Sequence, residues 1–97
     1  MVKTAIDYKG YIVIEDFMTK ELDLRSSTLL VYALLWTLSD RGKHSVRLTK
    51  RWIGKILGDY HRNTVADRIK ELMQAGLIES HGKEYRILKR SELQNNI

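Results

Sequence analysis

The chain has 97 residues, carries a formal net charge of +5 and contains neither cysteine nor proline. Such a length fits one domain, which buries about two-thirds of its unfolded surface around a single core. The missing cysteines exclude a disulfide framework and a thiolate metal site and predict a cytoplasmic protein, and no apolar run approaches the roughly 20 residues of a membrane helix.

The first residues predict an arm that packs on a following domain. Around Gly10, Tyr8, Tyr11 and Val13 alternate with Lys9, Ile12 and Ile14, so residues 1–14 indicate a short hairpin or an extended arm. Apolar residues between Glu15 and Asp23 then recur at helical spacing and predict a short helical turn. We expect an N-terminal segment over 1–21, a domain over 22–88 and a polar tail, frayed or briefly helical, over 89–97.

A dense apolar run predicts a helix over about 26–39, with Ser26 or Ser27 supplying the N-cap. Its apolar residues occupy two faces, and the second is formed by Leu29, Tyr32 and Trp36. A helix that is apolar nearly all round must be covered nearly all round. Two interpretations stay open: the N-terminal segment covers this second face, or the face is the seam of a homodimer.

The chain then predicts a short strand at 45–48 and a second helix at about 50–57, with Thr49 as its N-cap. Trp52 or Ile53 is expected in the core together with the apolar residues at the end of this helix. Gly58 closes the helix, and a polar turn follows.

A third helix is predicted from His61 or Arg62 to Gln74, and a glycine follows it as a C-cap. One buried face of this helix contains Val65, Ile69, Leu72 and Met73. Residues 77–80 and 84–88 then read as two strands of a hairpin.

Helix, strand, helix, turn, helix and hairpin follow one another in this order, and residues 49–88 resemble the winged helix-turn-helix superfamily of bacterial DNA-binding proteins. The markers are Ile-Leu-Gly at 56–58, Thr-Val at 64–65 and Ala-Gly-Leu-Ile at 75–78. The stretch from Leu22 to Thr49 is similar to the first part of winged-helix domains in plasmid and phage replication initiators. One departure is a turn with one residue more than the usual pattern, which leaves the start of the third helix open.

The resemblance implies an α+β, mostly α fold, with a three-helix core, a β-hairpin wing and an N-terminal extension, and it implies roles for three groups of residues. The first turn of the third helix and its outward side would read bases in the major groove: His61, Arg62, Asn63, Thr64, Ala66 and Asp67. Phosphates would be held by Thr49, Lys50, Arg51, Lys55 and Lys70. The wing would contact the adjacent minor groove or its phosphates through His81, Gly82, Lys83 and Arg86.

The placement of charge agrees with a polyanion partner. Residues 41–70 contain nine basic and two acidic side chains, which gives +7 for this segment and leaves −2 for the remainder. A solvated basic face without a partner is the plainer alternative. Trp52 and Tyr60 could be stacking platforms for single-stranded bases, but both fall where the motif needs apolar packing, so we expect them in the core.

No catalytic site is expected. The three histidines, His44, His61 and His81, are far apart in the sequence, which gives zinc no plausible set of ligands, and no glycine-rich phosphate loop or nucleophile elbow occurs. We therefore predict a protein that is not an enzyme and uses no cofactor.

The favoured function is sequence-specific binding of double-stranded DNA by a homodimer, as a repressor that occupies an operator. No membrane partner and no small-molecule effector are expected, because 97 residues leave no room for an effector domain. Plasmid or phage replication or partition is the closest alternative. A third interpretation is a protein-interaction module that binds another protein through the Leu29, Tyr32 and Trp36 face and the hairpin, with the basic segment only solvated.

Overall fold

The computed structural model describes residues 10–88, and the backbone of residues 2–4. Four helices and four strands occur in these ranges. In chain order they are β1 (Val2–Thr4), α1 (Asp16–Lys20), α2 (Ser26–Leu38), β2 (Ser45–Arg47), α3 (Lys50–Ile56), α4 (Arg62–Gln74), β3 (Ile78–His81) and β4 (Glu84–Ile87). The α+β, mostly α architecture predicted from the sequence is confirmed, while the predicted tail over 89–97 lies outside the described residues.

The strands form one sheet in the order β1-β2-β4-β3. The β3–β4 hairpin is the predicted wing, and β2 extends it antiparallel to β4, with Val46 opposite Tyr85. The first strand pairs with β2 in parallel, with Lys3 opposite Val46. Residues 11–14 form no strand, so the hairpin interpretation of the N-terminus is wrong, and the extended-arm interpretation stays a prediction because residues 5–9 lie outside the described part of the chain.

The core lies around α2, whose residues from Val31 to Leu38 are buried apart from the half-buried Thr37. Its first turn differs from the prediction, because the N-cap is Arg25, in an extended conformation and without a side-chain cap bond. Ser26 is the first helical residue and has a φ of 51°, so neither serine fills the predicted capping role. The helix end at Leu38 agrees with the predicted boundary to within one residue.

The second apolar face of α2 is covered by the chain's own N-terminal segment. Phe17 of α1 makes edge contacts with Tyr32 and Trp36, with ring centroids 6.3 and 5.0 Å apart. The Trp36 indole Nε1–H donates to Glu15 Oε2 at 2.7 Å. Tyr32 and Trp36 are thereby fully buried, while Leu29 is half-buried.

This burial corrects the predicted dimer face. Tyr32 is 0% exposed and Trp36 1% exposed, so a second copy cannot reach either side chain without displacing α1. Sequence periodicity required a cover for this face, and the cover is α1 together with Glu15.

A glycine cap separates α4 from the wing, as predicted. Gly76 has a φ of 74°, its N–H donates to the Met73 carbonyl, and the Leu77 N–H donates to the Leu72 carbonyl. These two bonds are those of a Schellman cap, and the buried side chains of Leu72 and Leu77 accompany them. Met73 is 43% exposed, so its predicted place on the buried face is wrong, whereas Val65, Ile69 and Leu72 are buried as predicted.

Candidate nucleic-acid interface

Helices α3 and α4 and the turn between them form a helix-turn-helix unit whose geometry depends on Gly54. The Gly54 carbonyl accepts a hydrogen bond from the Tyr60 N–H at 3.0 Å. A Cβ at position 54 would overlap the Tyr60 carbonyl oxygen and would also contact Val65. The turn can therefore lie directly on α3 only because this position has no side chain.

Two consecutive residues with left-handed backbone reverse the chain after α3, namely Gly58 with a φ of 110° and Asp59 with a φ of 64°. Aspartate tolerates this region better than most residues. After this turn α4 begins at Arg62, one of the two predicted starts.

Side-chain caps fix the first turns of both helices. Thr49 Oγ1 accepts from the Trp52 N–H at 3.1 Å, which confirms the predicted cap of α3. At α4 the cap is His61, whose Nδ1 accepts from the Asn63 N–H, also at 3.1 Å. The backbone of the first turn of α4 thus orients the His61 ring, and this is the turn that the sequence predicts to read DNA bases.

The outward side of α4 presents polar groups at helical spacing. Asn63, Asp67 and Lys70 lie at i, i+4 and i+7 and are all exposed, opposite the buried residues of the helix. Arg62 is exposed at the helix start, whereas Thr64 and Ala66 are half-buried. A guanidinium and a carboxamide at an exposed helix N-terminus are groups that can form bidentate hydrogen bonds with base edges.

A hollow opens where α3 meets the first turn of α4. Arg51 and Lys55 line it from α3, Arg62 lines it from α4, and Asp59, Tyr60 and His61 complete it from the turn. Positive charge in a concave site with low-dielectric walls is focused, which favours an anion there. The structure therefore brings together predicted phosphate contacts and predicted base contacts that are remote in sequence.

The cations around the helix-turn-helix unit and the wing are mostly not paired with carboxylates of the described residues. Lysine or arginine pairs with carboxylates in five places: Lys20–Asp16, Arg25–Asp23, Arg41–Glu15, Lys43–Asp40 and Arg68–Glu71. Eight cationic side chains in the described range 10–88 form no ion pair, and we call them the unpaired cations: Arg47, Lys50, Arg51, Lys55, Arg62, Lys70, Lys83 and Arg86. All the lysines and arginines to which the sequence assigned DNA contacts belong to this group.

The wing places its predicted residues at two levels. Gly82, with a φ of 65°, and Lys83 form the two-residue tip, and both are exposed. His81 Nε2 lies 3.3 Å from Glu79 Oε1. Arg86 is further from the tip, opposite Glu79, and lines a second hollow with residues of the α2–β2 loop.

Two aromatic residues lie where the sequence did not predict them. Trp52 is 54% exposed and Tyr60 37% exposed, so the expectation that both belong to the core is wrong. Ile53 fills the core position of α3 and is 0% exposed. Since successive helical residues are rotated by about 100°, the inward placement of Ile53 turns Trp52 toward solvent.

Arg47 is an unpaired cation to which the sequence analysis gave no role. It is exposed on β2 between two buried residues, Val46 and Leu48. The alternation of apolar and basic residues in this strand could have predicted the exposure of Arg47, because a residue between two inward-facing neighbours must point outward.

Neither a metal cluster nor a membrane segment is found in the part of the chain that the structure describes. No group of three or more His, Cys, Asp or Glu residues within that part could hold a metal ion. None of its helices is both long and apolar enough to cross a bilayer.

A helix-turn-helix unit packed on a central helix, followed by a β-hairpin wing, defines a winged helix-turn-helix DNA-binding domain. The family model described as the Crp-like helix-turn-helix domain matches residues 30–95, and the chain belongs to this family. No curated protein and no solved structure matches the chain. Its class is therefore that of a DNA-binding domain.

Proposed function

We propose that the chain binds double-stranded DNA in a sequence-specific manner and regulates transcription by occupying an operator. In this proposal the first turn of α4 enters the major groove, where Arg62 and Asn63 read base edges. Lys50, Arg51 and Lys70 hold phosphates, and the wing tip contacts the neighbouring backbone. We also propose that the chain has no catalytic role.

The unpaired cations are the observation that carries this proposal. Among the lysines and arginines of residues 10–88, five pair with carboxylates, and the eight that do not lie around the helix-turn-helix unit and the wing. Such a surface is suited to a polyanion. Phosphate contacts of this kind release counterions when the complex forms. The logarithm of the association constant therefore falls linearly with the logarithm of the salt concentration, with a slope of about −0.9 per phosphate contact. The proposal therefore has a measurable electrostatic signature.

Fluorescence anisotropy of a labelled duplex of random sequence, over a salt series, tests the electrostatic part. We expect Lys50→Ala to weaken binding and to flatten the salt slope by about 0.9, because one phosphate contact is lost. Lys20→Ala is the matched control, since it removes the same charge from an exposed ion pair on α1. Equal effects of the two variants, or no binding by the wild type at low salt, would contradict the proposal.

Sequence specificity needs a second measurement. Selection of bound duplexes from a random pool should yield a defined site, and Arg62→Ala should lose about 1–3 kcal/mol of discrimination at one position of that site. If Arg62→Ala instead lowers the affinity for all duplex sequences equally, Arg62 contacts a phosphate rather than a base.

The regulatory role is separated from a replication or partition role by where the sites lie in the genome. Bound genomic fragments next to promoters support repression by occupancy, whereas fragments clustered in an origin support replication or partition. The described residues of the interface favour neither role, and transcriptional regulation is the one we propose.

We also propose that the chain forms a homodimer, through a surface other than the Leu29, Tyr32 and Trp36 face of α2. A dimer on a site with two half-sites would bind repeats separated by about one turn of DNA. Sedimentation equilibrium with and without the selected duplex measures the stoichiometry. The third interpretation, a protein-interaction module, would have to use the wing hairpin rather than the second face of α2, because Tyr32 and Trp36 are buried.

A further inference from the structure

Trp52 is an aromatic side chain that the fold leaves without a structural role. It is 54% exposed on α3, while its neighbour Ile53 supplies the core contact. Within the described residues its indole N–H donates to no group, although its backbone N–H is used by the Thr49 cap. Its ring instead contacts Lys55, whose Nζ lies 5.8 Å from the ring centroid.

The surroundings of Trp52 point to the class of its partner. The exposed residues of α3 are Arg51, Trp52 and Lys55, and both cations lack an ion pair. A protein-docking patch would instead join several exposed apolar side chains. The exposed apolar residues of the N-terminal segment lie elsewhere, where the Val13 N–H donates to Thr37 Oγ1. The exposed aromatic residue nearer to α3 is Tyr60, and it lines the hollow to which Arg51 and Lys55 contribute their charges.

We propose that Trp52 is a DNA-contacting residue that packs on the sugar-phosphate backbone next to the major groove, a role that rests on the proposed function. Its ring covers a deoxyribose, and its indole N–H, which can only donate, binds a phosphate oxygen. Lys55 lies over the ring and adds its charge to the same stretch of backbone. Trp52 thus contributes apolar contact and one directed hydrogen bond where its neighbours contribute charge.

Intrinsic fluorescence tests this directly, since the chain contains two tryptophans and the other, Trp36, is 1% exposed. Acrylamide should quench Trp52 in the free protein, and Trp52→Phe should abolish that quenchable fraction. When labelled random duplex is bound, as followed by anisotropy in the same samples, the quenching of Trp52 should fall toward that of Trp36. Raising the salt until the duplex dissociates should restore it.

Affinity gives an independent measure. We expect Trp52→Ala to weaken binding about tenfold, the size of a lost aromatic contact, and to leave the salt slope unchanged because no cation is removed. Trp52→Phe should lose less, because it keeps a ring and gives up only the N–H. Met73→Ala is the matched control, since it removes another exposed apolar side chain, at the far end of α4.

The outcomes separate this proposal from the proposed function. The role of Trp52 is overturned if the duplex binds without protecting Trp52 from acrylamide and if Trp52→Ala binds as tightly as the wild type. DNA binding itself would remain intact. That result would make Trp52 available to a protein partner. A wild-type protein that binds no duplex at low salt overturns both. Equal melting temperatures of Trp52→Ala and wild type would show that the substitution leaves the fold unchanged.

Discussion

Replacement of Gly54 by alanine tests the contact that sets the helix-turn-helix geometry. At an ordinary helical glycine, alanine stabilises the fold by about 1 kcal/mol. Here the new Cβ would overlap the Tyr60 carbonyl oxygen, which belongs to the backbone and cannot rotate away. Overpacking of this kind costs about 1–3 kcal/mol, and moving the turn also weakens the Tyr60 N–H bond to the Gly54 carbonyl, worth about 1 kcal/mol.

The expected net result for Gly54→Ala is a loss of about 2 kcal/mol in the free energy of unfolding. For a domain of this size that lowers the melting temperature by about 10 °C. Thermal unfolding followed by circular dichroism measures both values. Lys55→Ala, at the next position of α3 and exposed, is the control and should stay within about 0.5 kcal/mol of the wild type. A Gly54→Ala protein more stable than the wild type would refute the reasoning, because alanine can stabilise α3 only if its Cβ does not displace the turn.

Two further predictions concern buried polar groups. Glu15→Ala leaves the buried Trp36 indole N–H without its acceptor and should cost about 1–3 kcal/mol in urea unfolding, whereas Asp16→Ala, at an exposed neighbour, should cost less than about 0.5 kcal/mol. Equal losses would mean that Glu15 does not hold α1 on α2. Tyr85→Phe removes a buried hydroxyl that has no hydrogen-bond partner among the described residues, so the free energy of unfolding should equal the wild-type value or exceed it by about 1 kcal/mol. A clear loss would show that the hydroxyl is satisfied in solution.

Local signals in the sequence sufficed for the helix-turn-helix unit and the wing. Thr49 before α3 and Gly76 after α4 act through bonds to their own neighbours, so their roles depend on few remote residues. The apolar period of α4 likewise identified its buried side, with Met73 as the exception. These features are fixed within one or two turns of chain.

Contacts between residues far apart in the chain determine the strand pairing and the burial of several side chains, and the sequence alone could not predict these. The parallel pairing of β1 with β2 joins three-residue strands far apart in the chain, and no periodicity that short specifies a partner. Trp52 and Ile53 are both apolar, so residue type cannot tell which one faces the core. The cover of Tyr32 and Trp36 remained open for the same reason, since periodicity requires a cover without identifying it.

The packing of Phe17 on α2 has a consequence for how this chain can change in evolution. Phe17 and Trp36 share one space, with their ring centroids 5.0 Å apart, so a larger side chain at either position needs a smaller one at the other. The family match begins at residue 30 and so includes Trp36 but not Phe17. We therefore expect the sequence of α1 to covary with that of α2 among close relatives, while the first turn of α4, which we propose to face DNA, can diverge independently.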